Sequence, residues 1–467
     1  MATLPDNTAH ATAFSPGHWS ERIDPAALDH IPGDAGLPVV GNTFKMLAGP
    51  HEFGRAMFKE HGRVYKNHVF GGWQVAMIGP EANELMLFDR EKLFSSEQGW
   101  GPVLDKLFPR GLMLIDFDHH RMDRRALSIA FKPGPMRHYS DALNRGVADA
   151  VKDWGGTMQF YPAIKKLTLD LAADSFIGIE WGPEADRINE AFVHMVQASV
   201  APIRKPLPFT LMRKGVKGRE FLVEYFTKET LRRRKEGGGQ DMFSQFATAT
   251  REDGDLLPVD QVVDHMNFLM MAAHDTITSS ATSLVYLLAK NPEWQEKLRQ
   301  EIMAVTGGPD ADGKARAVAY DDLGKLELTE MAFKEALRMI PPVPSMPRRA
   351  LRDFEFGGYT IPAGTPVGIN IALTHEMAEH WDDPTTFDPM RFTPDKIKAR
   401  HKYAWVPFGG GAHMCLGLHF AYMQVKILMV HMLSRYTIEM DDGYDPEWKP
   451  WPIPQPKDGL KITFKPL

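Results

Sequence analysis

Cys415 is the only cysteine in the chain, and the residues around it indicate chemistry. It lies in the run Pro407-Phe-Gly-Gly-Gly-Ala-His-Met-Cys-Leu-Gly417, directly before an amphipathic stretch over 418–433. Glycines let the backbone turn sharply and approach another group closely. A sulfur placed just before a helix N-terminus meets the positive end of the helix dipole, which stabilises a thiolate. Three roles are open to this thiol: a nucleophile, a metal ligand, or an inert buried side chain.

The role of metal ligand agrees best with the rest of the sequence. A nucleophilic cysteine needs a partner base, and no further cysteine-protease signature is present. One cysteine forms neither an intrachain disulfide framework nor a cysteine-rich zinc site. A single thiolate without neighbouring cysteines indicates haem iron, where electron donation from the sulfur favours cleavage of the O–O bond.

A second set of reactive residues lies inside the most apolar part of the chain. Ala272-Ala273-His274-Asp275-Thr276 falls in the middle of a predicted helix over 262–290. A buried acid beside a hydroxyl is costly without a purpose, and the two alanines leave room on one face. The alternative is that Asp275 and Thr276 are ordinary polar positions that face solvent.

Paired charges and basic residues complete the candidates. Glu335 and Arg338 lie three residues apart on a predicted helix, so they share one face and can pair. His120 and Arg124 are spaced i, i+4 at the start of another predicted helix, and Arg348 follows a Pro-rich segment. Taken singly, each is equally well explained as a solvated group or an exposed ion pair worth roughly a few tenths of a kcal/mol.

The loop around Cys415 resembles the haem-binding loop of the cytochrome P450 family. The family pattern is Phe-x-x-Gly-x-x-x-Cys-x-Gly, which Phe408, Gly411, Cys415 and Gly417 match. His413 stands where the family often has Arg. Other family motifs follow in the family's order and extend the resemblance over nearly the whole chain.

The resemblance implies a role for each candidate around the cofactor. Cys415 would ligate the iron of haem b, and the following residues would bind the cofactor: Phe408, His120, Arg124, Arg348 and His413. The four basic members of this set would hold the two haem propionates through charge-assisted hydrogen bonds.

The resemblance also covers the helix motif and the paired charges. Asp275 and Thr276 would relay protons to dioxygen, although Ala273 occupies a position where the family often has Gly. Arg391, in Phe387-Asp-Pro-Met-Arg391-Phe392, would join Glu335 and Arg338 in a structural triad behind the haem.

The implied activity is that of a haem-thiolate monooxygenase that uses two externally supplied electrons. One cysteine cannot hold an iron–sulfur cluster and no flavin module is expected, so a ferredoxin-type donor with its reductase is the expected partner. Lys396, Lys398, Arg400 and Lys402 either attract an acidic donor or form a solvated segment. Two alternatives stay open: a donor-independent peroxygenase or isomerase on the same fold, and a haem-binding sensor or carrier.

The substrate pocket is expected to combine five regions: 97–107, 196–209, 272–276, 343–346 and 452–456. Apolar side chains in these regions favour a hydrophobic ligand; they are Trp100, Leu104, Leu107, Val343 and Ile453. The segment Pro341-Pro-Val-Pro and the Ala-x-His-Asp-Thr pattern resemble family members that act on sterols, retinoids and other lipids. The expected substrate is a terpenoid, steroid, retinoid or other lipid-like molecule.

Composition excludes several other classes of function. The 467 residues include 54 Lys+Arg and 60 Asp+Glu, a net charge of −6, which argues against a dedicated nucleic-acid binder. No window of about 18 uninterrupted apolar residues is present, and the N-terminus lacks the apolar region of a signal peptide. We expect a cytoplasmic monomer without a membrane span, and the single cysteine suits a reducing compartment.

The elements that must position these residues are mainly helical. Helical patterns dominate from 81 to 290, with loops near 99–109 and 201–208, while strand-like runs occur at 64–69, 74–78, 348–373 and after 436. Residues 1–30 are predicted to form a flexible tail and 31–467 a single large domain. Because β segments from both ends flank the helical middle, we predict a mainly α fold with a small β lobe; the resemblance implies the cytochrome P450 fold.

Overall fold

One long helix passes through the centre of the protein and carries Asp275 and Thr276. A computed structural model describes residues 21–311 and 313–467 of the chain, and within them this helix spans Val259–Lys290. Most of its apolar side chains are buried, because other helices pack against several of its faces. It ends before Asn291-Pro292, since proline cannot continue the helical hydrogen bonding and instead starts the next helix.

Helices dominate the described structure and confirm the prediction of a mainly α fold. In chain order they are α1 (Thr43–Ala48), α2 (Pro50–His61), α3 (Pro80–Phe88), α4 (Ser96–Leu104), α5 (Phe117–Leu127), α6 (Pro133–Val151), α7 (Phe160–Ala172), α8 (Pro183–Ser199), α9 (Leu211–Glu236), α10 (Met242–Ala247), α11 (Val259–Lys290), α12 (Pro292–Thr306), α13 (Glu327–Met339), α14 (Ile371–Thr374), α15 (Pro394–Ala399) and α16 (Leu418–Leu433). None of the helices within residues 21–311 and 313–467 is both long and apolar enough to cross a membrane.

Short strands from distant parts of the chain form the β lobe. They are β1 (Gly33–Asp34), β2 (Val64–Val69), β3 (Gly72–Met77), β4 (Phe94–Ser95), β5 (Gly156–Gln159), β6 (Ser345–Ala350), β7 (Phe354–Phe356), β8 (Tyr359–Ile361), β9 (Pro366–Asn370), β10 (Tyr436–Glu439), β11 (Trp448–Lys449), β12 (Gln455–Pro456) and β13 (Lys461–Pro466). The largest sheet has the order β1-β2-β3-β9-β6-β4. Val367 of β9 pairs with Val75 of β3 on one side and with Arg348 of β6 on the other. The sheet therefore joins both halves of the chain, as the predicted β lobe requires.

The predicted flexible tail is wrong for residues 21–30, and residues 1–20 lie outside the described part of the chain. Pro25–Leu28 forms a 3₁₀ turn, which begins where the Asp24 carboxylate accepts a hydrogen bond from the amide of Ala26. Leu28 is fully buried in the core of the β lobe. Because this leucine anchors the segment, the chain is ordered well before residue 31.

A helix occupies the first part of the loop predicted near 99–109 and ends at Leu104, while 105–109 form turns as predicted. α4 begins after Ser95, whose hydroxyl accepts a hydrogen bond from the amide of Gln98 at 2.9 Å. The glycines and proline of this segment have poor helix propensity. Close packing outweighs that propensity: a Cβ at Gly99 would lie 2.6 Å from the Cα of Arg348, so α4 rests directly on β6.

Candidate functional site

Cys415 lies in a tight loop that ends at the start of α16. Its amide donates a hydrogen bond to the carbonyl oxygen of Phe408 at 2.9 Å, which closes the loop. The ring of Phe408 packs near those of Trp405 and Tyr422, at centroid distances of 6.4 and 5.5 Å. The loop is therefore fixed at one end by aromatic packing and at the other by the helix.

Gly411 allows the Cys415 loop to approach α3. Its φ of 59° lies in the left-handed region that favours glycine. A Cβ at this position would lie 2.1 Å from the carbonyl oxygen of Leu87, so any side chain would collide with the backbone at the end of α3. The glycine thus lets backbone pack on backbone, as the Gly-rich sequence predicts.

The thiol of Cys415 is accessible, yet its surroundings do not by themselves favour the thiolate. Burial by the neighbouring protein atoms raises the pKa of the Cys415 thiol, and this effect exceeds the lowering by the amide of Gly417 and the charge of Arg124. The amide of Gly417, next to the start of α16, favours the thiolate in the predicted sense, although burial has the larger effect on the pKa. A metal at the sulfur would replace the proton and remove this penalty.

A cavity of about 630 Å³ lies beside this loop and gathers basic side chains from three elements. His120 and Arg124 come from α5, Arg348 from β6, and His413 from the Cys415 loop. The rings of His120 and His413 lie 3.9 Å apart between centroids. Basic residues from three parts of the chain that are remote in the sequence thus line one cavity.

The cavity suits a ligand that carries its own negative charge. Burial, together with Arg124 and Arg348, lowers the pKa of His120 to about 4, and burial with the same basic neighbours lowers the pKa of His413 to about 2. The positive charge near pH 7 therefore resides on the guanidiniums. The buried Nε2 atom of His120 has no hydrogen-bond partner, and among residues 21–311 and 313–467 Arg124 pairs with no carboxylate.

Asp275 and Thr276 are neighbours on α11, but their side chains bind different partners. The hydroxyl of Thr276 donates to the carbonyl oxygen of Ala272 at 2.9 Å, one turn earlier on the same helix. The carboxylate of Asp275 lies 3.3 Å from Nζ of Lys165 on α7 and 3.1 Å from Nδ1 of His274. Burial raises the pKa of Asp275, but these two partners outweigh it and lower the pKa to about 2.

Glu335, Arg338 and Arg391 form a closed buried network. Two nitrogens of Arg338 donate to the Glu335 carboxylate at 2.7 and 2.8 Å, and Nε of Arg391 donates to it at 3.2 Å. The remaining donors of both guanidiniums reach the carbonyl oxygens of His375, Asp382 and Asp383. The triad predicted from the sequence is therefore present as a set of contacts.

The structure adds residues that sequence reasoning missed. Asp116 and Asp89 line the basic cavity, and both carboxylates act electrostatically on Arg348. Lys165 holds Asp275 from a helix more than 100 positions earlier in the chain. Asp116 precedes the predicted helix with His120 and Arg124, which is a weak signal; Lys165 has no distinguishing pattern in the sequence.

Three residues of the predicted substrate regions and basic segment have distinct surroundings in the structure. Leu107 is fully buried in the main core, and Phe209 is fully exposed. Arg400 does not belong to an open basic surface, because its guanidinium stacks 3.8 Å from the ring centroid of Trp381 and donates to the carbonyl oxygen of Arg391. The other members of that segment are exposed, namely Lys396, Lys398 and Lys402.

Comparison with known proteins agrees with this geometry. The family model for cytochrome P450 matches residues 31–464. Cytochrome P450 136 of Mycobacterium tuberculosis is 36% identical over 468 residues, which covers 97% of this chain and 92% of that protein. The structure of retinoic acid bound cyanobacterial CYP120A1 has a TM-score of 0.84 and 28% identity, and the match covers 94% of this chain and 99% of that one. The cytochrome P450DA heme domain, with a TM-score of 0.82 and 20% identity, supports the fold.

The fold, the Cys415 loop and the basic cavity together define the haem-thiolate class of oxygenases. The chain belongs to the cytochrome P450 family, so it is a monooxygenase and an oxidoreductase. The residues present fit a haem on three observations of this structure: an accessible thiol, an unpartnered buried nitrogen on His120, and a guanidinium of Arg124 free to meet a propionate.

Proposed function

We propose that this protein binds haem b through Cys415 and oxidises a hydrophobic small molecule, using dioxygen and two electrons from a ferredoxin-type donor. The observation that carries the proposal is the position of the Cys415 loop beside a cavity lined by His120, Arg124, Arg348 and His413. When bound, the haem supplies the iron at which dioxygen is activated.

The protein's own residues would hold that cofactor at two places. The Cys415 sulfur is the iron ligand, and the Phe408 carbonyl keeps it in place by accepting the Cys415 amide. Arg124 and Arg348 supply permanent positive charge for the propionates, because a guanidinium stays protonated. His120 and His413 donate ring N–H groups as neutral imidazoles.

Asp275 and Thr276 would deliver protons from solvent to the oxygen-binding side of α11. The Asp275 side chain keeps 15% of its surface exposed beside Lys165, which gives it a route to solvent. Ala272 and Ala273 are small, so a groove can form next to the Thr276 hydroxyl. Delivery requires the hydroxyl to leave the Ala272 carbonyl and turn toward this groove.

Substitution of Thr276 tests this proton delivery. In Thr276→Ala we expect NADPH consumption to continue while product falls and peroxide rises, because the hydroxyl that would deliver the proton is lost. Asp275→Asn is expected to slow the whole cycle, because it removes the charged link to solvent. Ser280→Ala is the matched control, since Ser280 makes the same bond to its own helix one turn later. Unaltered product per NADPH in Thr276→Ala would refute the relay.

The proposed substrate is a retinoid or a similar isoprenoid lipid. Support comes from the 28% identity and 0.84 TM-score to the retinoic acid bound cyanobacterial CYP120A1. Apolar residues on α4 and in the segment before β6 agree with such a ligand, since Trp100 packs partly buried against the main core. Spectral titration with retinoic acid, a steroid, a monoterpene and a fatty acid tests the proposal. A high-spin shift with another class and none with retinoic acid would refute it.

The proposed donor is an acidic ferredoxin with its reductase. Lys396, Lys398 and Lys402 are exposed and provide positive charge, whereas Arg400 is held by Trp381. Turnover with NADPH, a ferredoxin and its reductase gives product if the proposal holds. Product from peroxide alone indicates a donor-independent enzyme, and haem binding without any turnover indicates a sensor or carrier. The cytoplasmic location and monomeric state stay predictions.

A further inference from the structure

Asp116 is a buried carboxylate at the rim of the basic cavity, and the proposed function does not use it. It immediately precedes α5 and lines the same cavity as His120 and Arg124. Its side chain keeps only 13% of its surface exposed, and Oδ1 lies 3.8 Å from Nε2 of His413. Because a buried carboxylate is costly unless it is paired, its position calls for a specific set of partners.

The N-terminus of α4 holds the Asp116 carboxylate. Oδ2 accepts the hydroxyl of Ser95 at 2.5 Å, while Oδ1 accepts the amides of Ser96 at 2.8 Å and Glu97 at 3.4 Å. A helix N-terminus also favours a negative charge through its dipole. The hydrogen bonds that fix this anion therefore come from α4 and not from the basic residues of the cavity.

Arg348 lines the same cavity as Asp116 and is almost fully buried on β6. Asp116 and Asp89 are the two carboxylates that act on this guanidinium. Across residues 21–311 and 313–467 no carboxylate comes within ion-pair distance of Arg348, whose hydrogen bond goes to the Pro347 carbonyl. Arg348 is thus held by charge at longer range while its other N–H groups stay available.

The backbone next to Asp116 is strained. Phe117 has a φ of 49°, a left-handed conformation that side-chain-bearing residues rarely adopt. Strain of this kind persists only where surrounding contacts over-determine the conformation, and it concentrates at functional sites. The bonds from Ser95 and Ser96 supply those contacts, so they keep Asp116 in place in spite of the strained turn.

We propose that Asp116 is a positioning residue for the cofactor edge, whose charge keeps Arg348 and His413 oriented toward the haem propionates. The inference rests on the proposed haem site and adds a residue to it. Because α4 already satisfies the carboxylate oxygens, Asp116 attracts the guanidinium without closing onto it as a bidentate pair. The N–H groups of Arg348 are left for the propionates.

The test measures haem transfer from the holoprotein to excess apomyoglobin. Only preparations whose ferrous–CO spectrum shows thiolate-ligated haem are compared, so failure of this inference is distinct from failure of the haem site itself. We expect about tenfold faster transfer from Asp116→Asn than from the wild type, and near wild-type transfer from Asp116→Glu, which keeps the charge. Asp118→Asn is the matched control, because Asp118 lines the same cavity but is exposed and pairs with Arg121.

A role limited to capping α4 predicts a different pattern. Ser95→Ala removes the cap of α4 and one hydrogen bond to Asp116 but retains the charge, so transfer should stay within about twofold of the wild type. The midpoint potential of Asp116→Asn should shift positive, because a lost negative charge favours the reduced state, and that of Ser95→Ala should not. The proposal is overturned if Ser95→Ala matches Asp116→Asn in both measurements, or if Asp116→Glu releases haem as fast as Asp116→Asn. Should Asp116→Asn fail to load haem, near wild-type transfer from both Asp116→Glu and Ser95→Ala supports the proposal, and transfer from either variant about tenfold faster than from the wild type overturns it.

Discussion

Two buried clusters built on arginine differ in how their charge is balanced. Around Glu335, the carboxylate receives Arg338 and Arg391, and backbone carbonyls take up the remaining donors. In the cavity beside Cys415, Arg124 and Arg348 have no ion pair with any carboxylate in the described parts of the chain. The buried charges of the first cluster are balanced by its own members, whereas the guanidiniums of the second are left without a carboxylate among the described residues and are open to an anion.

The difference separates a structural role from a binding role for the same residue type. In a closed network each buried charge is paired, so removing one member leaves its partner unpaired and lowers the free energy of unfolding strongly. An open set of donors costs stability until an anion binds, and then favours the bound state by mass action. The four predictions that follow test this contrast, beginning with the largest expected effect.

Cys415→Ser should abolish the thiolate-ligated state of the haem. The hydroxyl cannot replace the sulfur as a strongly donating ligand, although the loop bond from residue 415 to Phe408 can persist. The measurement is the ferrous–CO spectrum, which should lose its red-shifted Soret band completely. Retention of that band would show that another residue ligates the iron.

Glu335→Gln should destabilise the whole protein by about 3–5 kcal/mol, because two buried guanidiniums lose their counter-charge. Denaturant unfolding measures this effect. Glu296→Gln is the control, since Glu296 pairs with Arg299 at the surface and should change stability by less than about 1 kcal/mol. Equal effects of the two substitutions would mean that the Glu335 network is no more than an ordinary ion pair.

Arg124→Met should weaken haem retention without destabilising the haem-free protein, the reverse of what we expect for Glu335→Gln. We expect haem to leave roughly tenfold faster, while the unfolding free energy of the haem-free protein stays within about 0.5 kcal/mol of the wild type. The reason is that Arg124 stabilises no carboxylate among the residues the structure describes. Arg121→Met is the control, because Arg121 is exposed and pairs with Asp118. A large loss of apoprotein stability in Arg124→Met would remove the distinction between the clusters.

His120→Gln should change the pH dependence of haem-free protein stability, the smallest of these effects. The pKa of His120 is about 4 in the folded state, below the value of about 6.5 expected when unfolded. The unfolded state therefore binds the proton first, and stability falls as pH drops from about 6.5 to 4. Above that window the group contributes no pH dependence. In thermal unfolding across pH 4–8, the stability of the variant should fall less at acid pH than that of the wild type. Identical dependence of stability on pH in the two proteins would contradict a buried neutral imidazole at His120.

Much of the fold follows from local patterns in the sequence. The strand at Val64–Val69 and the helix at Leu418–Leu433 occupy the predicted positions. Alternating burial marks the strand, whereas the helix is buried on every face from Met423 to Leu433 and is marked by its long apolar run instead of an amphipathic stripe. The structure departs from prediction where distant contacts override local propensity. α4 is helical because Gly99 fits against β6, and residues 21–30 are ordered because Leu28 enters the β-lobe core.

The sequence by itself determined which residues are candidates for chemistry: one cysteine in a Gly-rich loop, an acid–alcohol pair in an apolar helix, and basic residues at helical spacing. Residue type and local spacing suffice for that, since they set the available donors, acceptors and backbone freedom. Only the tertiary structure decided which buried charges are already satisfied. That balance depends on partners more than a hundred residues apart, such as Asp116 beside His413 and Lys165 beside Asp275. Electrostatic energy depends on the distance between charges and on their burial. Residues of one type therefore differ in role: Arg338 is paired with a carboxylate in a closed network, whereas Arg124 lines a cavity that is open to an anion.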